Sequence, residues 1–241
     1  MLVIKSKSFY IIFSVIISFF MFIRCAYSEL ATPSSYIVTV NSMDLCEDAA
    51  CTNYARLGNV SKNFDIASVS ASGDVGTYVD EFFLEIGKVY THARWNLNRA
   101  MSLTGTVELT GVDCATAANG TAGTETVAAY TAGDQTEASL NLFMVDLGKL
   151  ANSGGPAAND YTSKGVQLVS DDFPYATTFD YIKELEKTYT VSEEVPVISM
   201  SFNVTNNLGA GYNNSGSTQN GVPNNRCYYW VEDPSPIISI Q

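Results

Sequence analysis

The chain is expected to fold as all-β, a single antiparallel β-sandwich or jelly-roll-like domain, and three observations lead there. Short segments alternate apolar and polar residues with the period of two that a half-buried strand requires. About ten of them recur along the chain, separated by turn-forming Gly, Asn, Asp and Ser, as in a sandwich. Neither a linker nor an internal repeat divides the sequence.

Residues 36–45 (YIVTVNSMDL) alternate and form the first strand, ending at an acidic turn. Residues 64–70 make a short strand, broken at Ser72-Gly73-Asp74. Residues 79–86 are ambiguous, because Phe82-Phe83 suits either a strand or a buried turn. The clearest strand is residues 88–101, KVYTHARWNLNRAM. Val89, Thr91, Ala93, Trp95 and Leu97 fall on one side, and Tyr90, His92, Arg94, Asn96 and Asn98 on the other. A helix would mix the two sets on every face. Residues 103–109 continue the alternation, with Thr104-Gly105 read as a bulge.

Residues 115–138, rich in Ala, Thr and Gly, predict a long loop with one weak strand near 127–130. Residues 140–147 are apolar on both faces, as in a central strand. Residues 151–159 are a turn-rich connector, and 165–170 another strand. Residues 179–189 (FDYIKELEKTY) fit a helical stripe through Phe179, Ile182, Leu185 and Tyr189. They fit equally a strand face through Tyr181, Lys183, Leu185, Lys187 and Tyr189, and strands on both sides favour the strand. Residues 195–204 alternate, the Asn/Gly/Ser-rich segment 206–225 reads as an exposed loop, and 227–231 and 236–240 are closing strands.

The N-terminus carries Lys5 and Lys7, an apolar run over 10–23, and small residues at Ala26 and Ser28 where a signal peptidase reads. Residues 1–28 are therefore read as a signal peptide and 29–241 as the sandwich domain. Retention as an uncleaved anchor is the one route to a membrane. Arg24 stands where a lipoprotein needs a small residue before Cys25. Cleavage removes Lys5, Lys7 and Arg24 and no acidic residue, so the net charge moves from −12 to −15. So acidic a chain lacks the basic footprint that nucleic acid and anionic membranes demand.

The mature chain keeps Cys46, Cys51, Cys114 and Cys227, an even number in an exported protein, which reads as two disulfides with three connectivities open. Cys46 and Cys51 are close enough around the turn 47–50 for a local bridge, which would leave Cys114 with Cys227. A zinc site is disfavoured, since the chain has no CxxC pair and His92 is its only histidine.

Catalytic motifs are missing: there is no GxSxG, HExxH or phosphate-cradling loop. The pairs Glu193-Glu194 and Asp171-Asp172 point to opposite faces if in strands, unlike a glycosidase pair. No catalytic residue and no cofactor is assigned. Calcium suits an acidic exported protein, with Asp44, Glu47 and Asp48 at one turn, yet no EF-hand spacing assigns a ligand or a metal residue. The one ligand-binding hypothesis rests on Tyr228, Tyr229 and Trp230, three consecutive rings that cannot share one face of a strand. An exposed ring there would suit a glycan, whereas packing around Cys227 would be core architecture.

The segments YIVTV…LCEDAAC, FDIASV, KVYTHARWNLNR and TYTV…PVISMSFNV span most of the mature chain. Together they resemble a group of uncharacterised exported β-rich proteins of marine alphaproteobacteria. The resemblance implies a bacterial exported protein, in which the Asn59, Asn119, Asn203 and Asn213 glycosylation patterns would have no role, and it carries no activity with it. The expectation is a non-enzymatic, disulfide-tied structural or surface-assembly protein of the periplasm, cell surface or exterior. It would self-associate through the terminal segments 36–45 and 236–240, both apolar and β-prone. The alternative is a soluble module binding glycans or small ligands through Tyr228–Trp230.

Overall fold

The computed structural model describes residues 27–68, 82–116, 128–131, 137–144, 166–168, 177–194, 196–218, 222–234 and 236–240. Most of the export segment, the connector 151–159, Asp171-Asp172 and Asn119 lie outside them. Among the described residues the fold is all-β and antiparallel throughout, consistent with a sandwich. None of its elements is a helix long and apolar enough to cross a membrane.

The larger sheet is built on β2 (Ser35–Cys46). One edge of β2 pairs with β3 (Tyr54–Gly58) and β4 (Lys62–Asp65). The other pairs with β5 (Val89–Asn98) over Val40–Cys46 and with β6 (Ala100–Thr104) over Ser35–Ile37. Residues 36–45 are thus interior to the sheet, hydrogen-bonded on both sides, and not the edge their apolar character suggested. Tyr36, Val38, Val40, Met43 and Leu45 are buried because β2 floors the core; a bulge between Val40 and Ser42 keeps both halves facing inward.

The strand predicted over 88–101 is interrupted at Arg99, and the interruption has a cause. Arg99 N–H donates to the carbonyl of Thr177, while its own carbonyl accepts from Met144 N–H. There the outer ladder changes partner: β5 pairs with β12 (Thr178–Thr190), and β6 with β10 (Leu140–Phe143). β10 is therefore the last strand of this sheet, not a central one. At the other end β12 pairs with β11 (Val166–Leu168). The ambiguous segment 179–189 is a strand, since its alternating face (Phe179, Tyr181, Leu185) meets the core while its backbone completes the ladder of β5.

The opposing layer has three pieces. Four strands run in the order β1 (Tyr27–Ala31), β14 (Leu208–Asn213), β15 (Arg226–Val231) and β9 (Ala128–Thr131). β7 (Thr106–Leu109) pairs with β8 (Val112–Ala115) around Gly111, whose φ of 84° suits a glycine. β13 (Ile198–Ser201) pairs with β16 (Ile237–Ile240). The strand expected over 103–109 divides at Gly105, where the chain leaves the large sheet: Gly105 N–H donates to Thr116 Oγ1, and Thr116 N–H to the Gly105 carbonyl.

β14 corrects the reading of 206–225 as an exposed loop. Its glycines mark close packing, because a Cβ on Gly209 or Gly211 would overlap the ring of Trp230 or Tyr228. Both layers contribute to one core, with Trp95, Phe179 and Tyr181 meeting Leu208, Tyr229, Val231 and Ile238. Two disulfides close it, Cys46–Cys51 within the β2–β3 turn and Cys114–Cys227 from β8 to β15. Disulfides form and persist in oxidising surroundings, which points outside the cytoplasm.

Candidate functional site

The polar side of β5 lies on the outward face of the large sheet and gathers the charged and amide side chains of three strands. At one end Asp44 of β2 is fully buried. It stands between Arg56 of β3 and Arg94 of β5 because both residues are its direct cross-strand partners. Arg94 donates from Nε and Nη2 to Oδ2 at 2.9 and 2.7 Å, and Arg56 pairs with Oδ1. Burial works against the Arg94 charge, but the hydrogen bonds and charge of Asp44 outweigh it and hold the guanidinium pKa above its ordinary value. The half-exposed Tyr54 ring lies 4.5 Å from the Arg94 guanidinium and 5.5 Å from that of Arg56, within cation–π range.

Beyond Arg94 the face is an amide ladder. Ser61 Oγ donates to Asn41 Oδ1 at 2.7 Å, and Asn41 Nδ2 donates to Asn96 Oδ1 and Asn98 Oδ1 at 3.1 and 2.9 Å. Asn96 Nδ2 donates to Asp180 Oδ1 at 2.8 Å. Asn41 and Asn96 each bond to a neighbouring strand, so the ladder ties β2, β5 and β12 together from outside.

His92 lies in the same row. Its Nδ1 is 2.8 Å from Thr91 Oγ1, which also donates to the Glu47 carbonyl at 2.8 Å. Thr91 Oγ1 thus stands between the ring and the Glu47 carbonyl, and its one proton can serve only one of them at a time. The acidic turn residues are likewise turned to different partners: Glu47 to Lys88 at 3.0 Å, Asp48 Oδ1 to Cys51 N–H at 2.9 Å, and Asp44 to its arginines. No three His, Cys, Asp or Glu residues converge on a metal position among the described residues.

Tyr228, Tyr229 and Trp230 alternate across β15, and all three rings are buried. Tyr229 enters the core and its hydroxyl donates to the Ala115 carbonyl at 2.7 Å. Tyr228 and Trp230 stack on the other face, with centroids 5.9 Å apart and planes 30° from parallel, against Val222 and over Gly211 and Gly209. Burial raises the Tyr228 pKa, and Trp230 Nε1 donates to Glu232 at 3.0 Å. The stack is roofed by the chain itself and presents no open aromatic platform.

Sequence reasoning placed His92, Arg94, Asn96 and Asn98 on one wet face. It missed Asn41, Tyr54, Arg56 and Asp180, the partners that give this face its structure. The available signal was the pairing of Asp44, the acidic residue inside an apolar strand, with arginines on strands to either side. Comparison with family models, curated proteins and solved structures found no match to the chain.

Proposed function

We propose that the chain is an exported, non-enzymatic sandwich that serves as a structural or surface-assembly subunit. The observation that carries this reading is the position of its first and last strands. β1 stands at the outer end of the four-stranded sheet, and β16 belongs to a ladder of two strands. Leu30 on β1 and Ile237 on β16 are exposed large apolar residues. Outer strands with apolar side chains are templates for pairing with another chain. The polar face supports the same reading, because Asn41 and Asn96 at its centre spend amide donors and acceptors on neighbouring strands. The glycan-binding alternative is weakened by the burial of the rings at 228–230. Two disulfides fit a protein that must hold its shape outside the cell.

The test is the mass distribution of oxidised residues 29–241 by light scattering on a sizing column. Ordered multimers that are lost when residues 29–31 or 237–241 are deleted support the reading. A monomer at every concentration, with or without salt, overturns it.

A further inference from the structure

At the Asp44 end of the outward face, two side chains of β3 reach into water from fixed bases. Tyr54 stands beside Cys46 and Arg56 beside Asp44, their partners on β2. The two are separated by one residue on a strand, so both project to the same side. Tyr54 is 48 % exposed and the Arg56 side chain 41 %. Among the described residues neither the Tyr54 hydroxyl nor Nη1 or Nη2 of Arg56 has a hydrogen-bond partner.

The bases are rigid. Arg56 Nε is held by the buried carboxylate of Asp44, which leaves the Nη1–Nη2 edge of the fork free for two parallel hydrogen bonds. The Tyr54 ring rests on the Arg94 guanidinium at 4.5 Å, and Arg94 is itself tied to Asp44. The turn leading into Tyr54 is closed by the Cys46–Cys51 bridge and by Glu47 N–H donating to the Asn53 carbonyl. Groups held this way lose little conformational freedom when a ligand arrives. Two guanidiniums against one carboxylate also leave a positive charge over, on a chain whose net charge is −12. The free fork edge fits a planar carboxylate, and the wet ring beside it fits the C–H face of a sugar. A platform on an open sheet face suits a pyranose, which keeps its other face in water, better than an aromatic acid, which needs enclosure.

We propose that Tyr54 and Arg56 bind a uronic acid residue of an acidic glycan, the carboxylate on the Arg56 fork and the sugar ring on Tyr54. Asp44 and Arg94 act as positioning residues, one holding the fork and the other the ring. The site is separate from the roofed rings at 228–230. It goes beyond the assembly reading and stands whether the chain is a monomer or a multimer. Its charge is single and exposed, so added salt should weaken binding. A glycan that repeats the unit would be held more tightly by linked copies than one sugar by one copy.

The test is calorimetric titration of oxidised residues 29–241 with a trisaccharide of galacturonic acid, set against its methyl ester, acetate and an oligoglutamate peptide. The trisaccharide should bind about tenfold or more tighter than the ester, and Arg56→Gln and Tyr54→Ala should each weaken it by a similar factor. Tyr54→Ala leaves Asp44 with both arginines, so it keeps the test decisive should Arg56→Gln disturb the ion pair. Acetate binding as well as the trisaccharide would mean an adventitious ion only and overturn the sugar site. Tighter binding of oligoglutamate would replace the glycan with an acidic protein segment. Equal binding of the methyl ester, parent affinity in both variants, or no binding of the trisaccharide at all would each overturn the proposal, and none of them would touch the light-scattering test of assembly.

Discussion

On the outward face of the large sheet, Asn41, Asn96 and Asp180 meet across three strands beside a carboxylate set between two arginines. On the outward face of the small sheet, Tyr228 and Trp230 lie flat on two glycines. Both faces look away from the core, and both are covered, one by polar side chains bonded to each other and the other by rings roofed with chain. The disulfides differ in the same way. Cys46–Cys51 packs with Ile182 on the outward side of the large sheet, whereas Cys114–Cys227 lies in the core, where Cys227 shares the inner side of β15 with Tyr229. The difference teaches that outward does not mean wet in this fold. Each sheet is held from outside as well as from within, by the chemistry its own composition allows.

The largest effect should separate the two disulfides. Chain entropy makes a closure worth more as its loop lengthens. The 113-residue separation of Cys114 and Cys227 corresponds to about 5 kcal/mol. The 5-residue separation of Cys46 and Cys51 corresponds to about 2 kcal/mol. Urea unfolding of the double serine variants should show the first far less stable than the second. Equal losses would mean that the short bridge does more than close a turn, by sheltering Ile182.

Next in size is Asp44→Asn. Removing one partner from a buried ion pair leaves the remaining charge uncompensated, at a cost of about 3 kcal/mol. Here two guanidiniums would face each other across the amide. Arg56 is exposed enough to turn to water, so the loss should fall mostly on Arg94. A double variant, Asp44→Asn with Arg94→Met, should recover part of the stability. If Asp44→Asn alone is neutral, the buried carboxylate is not what organises this face.

On the other face, Gly209→Ala and Gly211→Ala should each cost about 2 kcal/mol, the scale of overpacking. Gly209→Ala should alter Trp230 fluorescence directly, because its methyl meets that ring, and Gly211→Ala through Tyr228, which stacks on Trp230. A neutral Gly209→Ala would show that the rings can lift and that the covering is loose.

These positions also mark what could be read in advance. The all-β class, the β5 alternation from Ala93 onward, the strand at 179–189 and the cysteine pairing were legible because each is a local pattern or a matter of spacing; at the start of β5 the sides are reversed, with Tyr90 buried and Val89 exposed where the alternation put them the other way. β14 was not, because Leu-Gly-Ala-Gly-Tyr-Asn reads as a loop until the rings that need the glycines' missing side chains are known to lie above it. The interior place of β2 was hidden as well. An apolar strand near one end of a chain reads as an edge, and only long-range pairing with β3 to β6 puts it in the middle. The polar face was half legible: alternation gave the β5 row, but Asn41, Arg56 and Asp180 join it through register alone. Phe83 lay inside a segment that suited either a strand or a buried turn, and local pattern could not separate Phe82, which packs, from Phe83, which does not.

The smallest effect lies between the two faces and appears only at high pH. Tyr181 of the large sheet donates its hydroxyl to Asp233, which follows the last strand pairing of the small sheet, at 2.7 Å in the core. Burial first, and then the charge and hydrogen bond of Asp233, push the Tyr181 pKa well above its ordinary value of 10. The folded protein therefore holds this proton more tightly than the unfolded chain does. Stability from this source is complete below pH 10, where both states are protonated. It falls as pH rises past 10, where only the unfolded state releases the proton, by up to about 1.4 kcal/mol per pH unit. Tyr228 is raised by burial alone, so it adds to the same alkaline loss without a partner across the layers. Urea midpoints between pH 8 and 11 should fall less steeply for Tyr181→Phe than for the parent, with Tyr228→Phe in between. At neutral pH Tyr181→Phe should cost only its hydrogen bond, about 1 kcal/mol. If its alkaline slope matches that of the parent, the proton on Tyr181 is not what joins the layers, and the two faces are coupled through apolar contact alone.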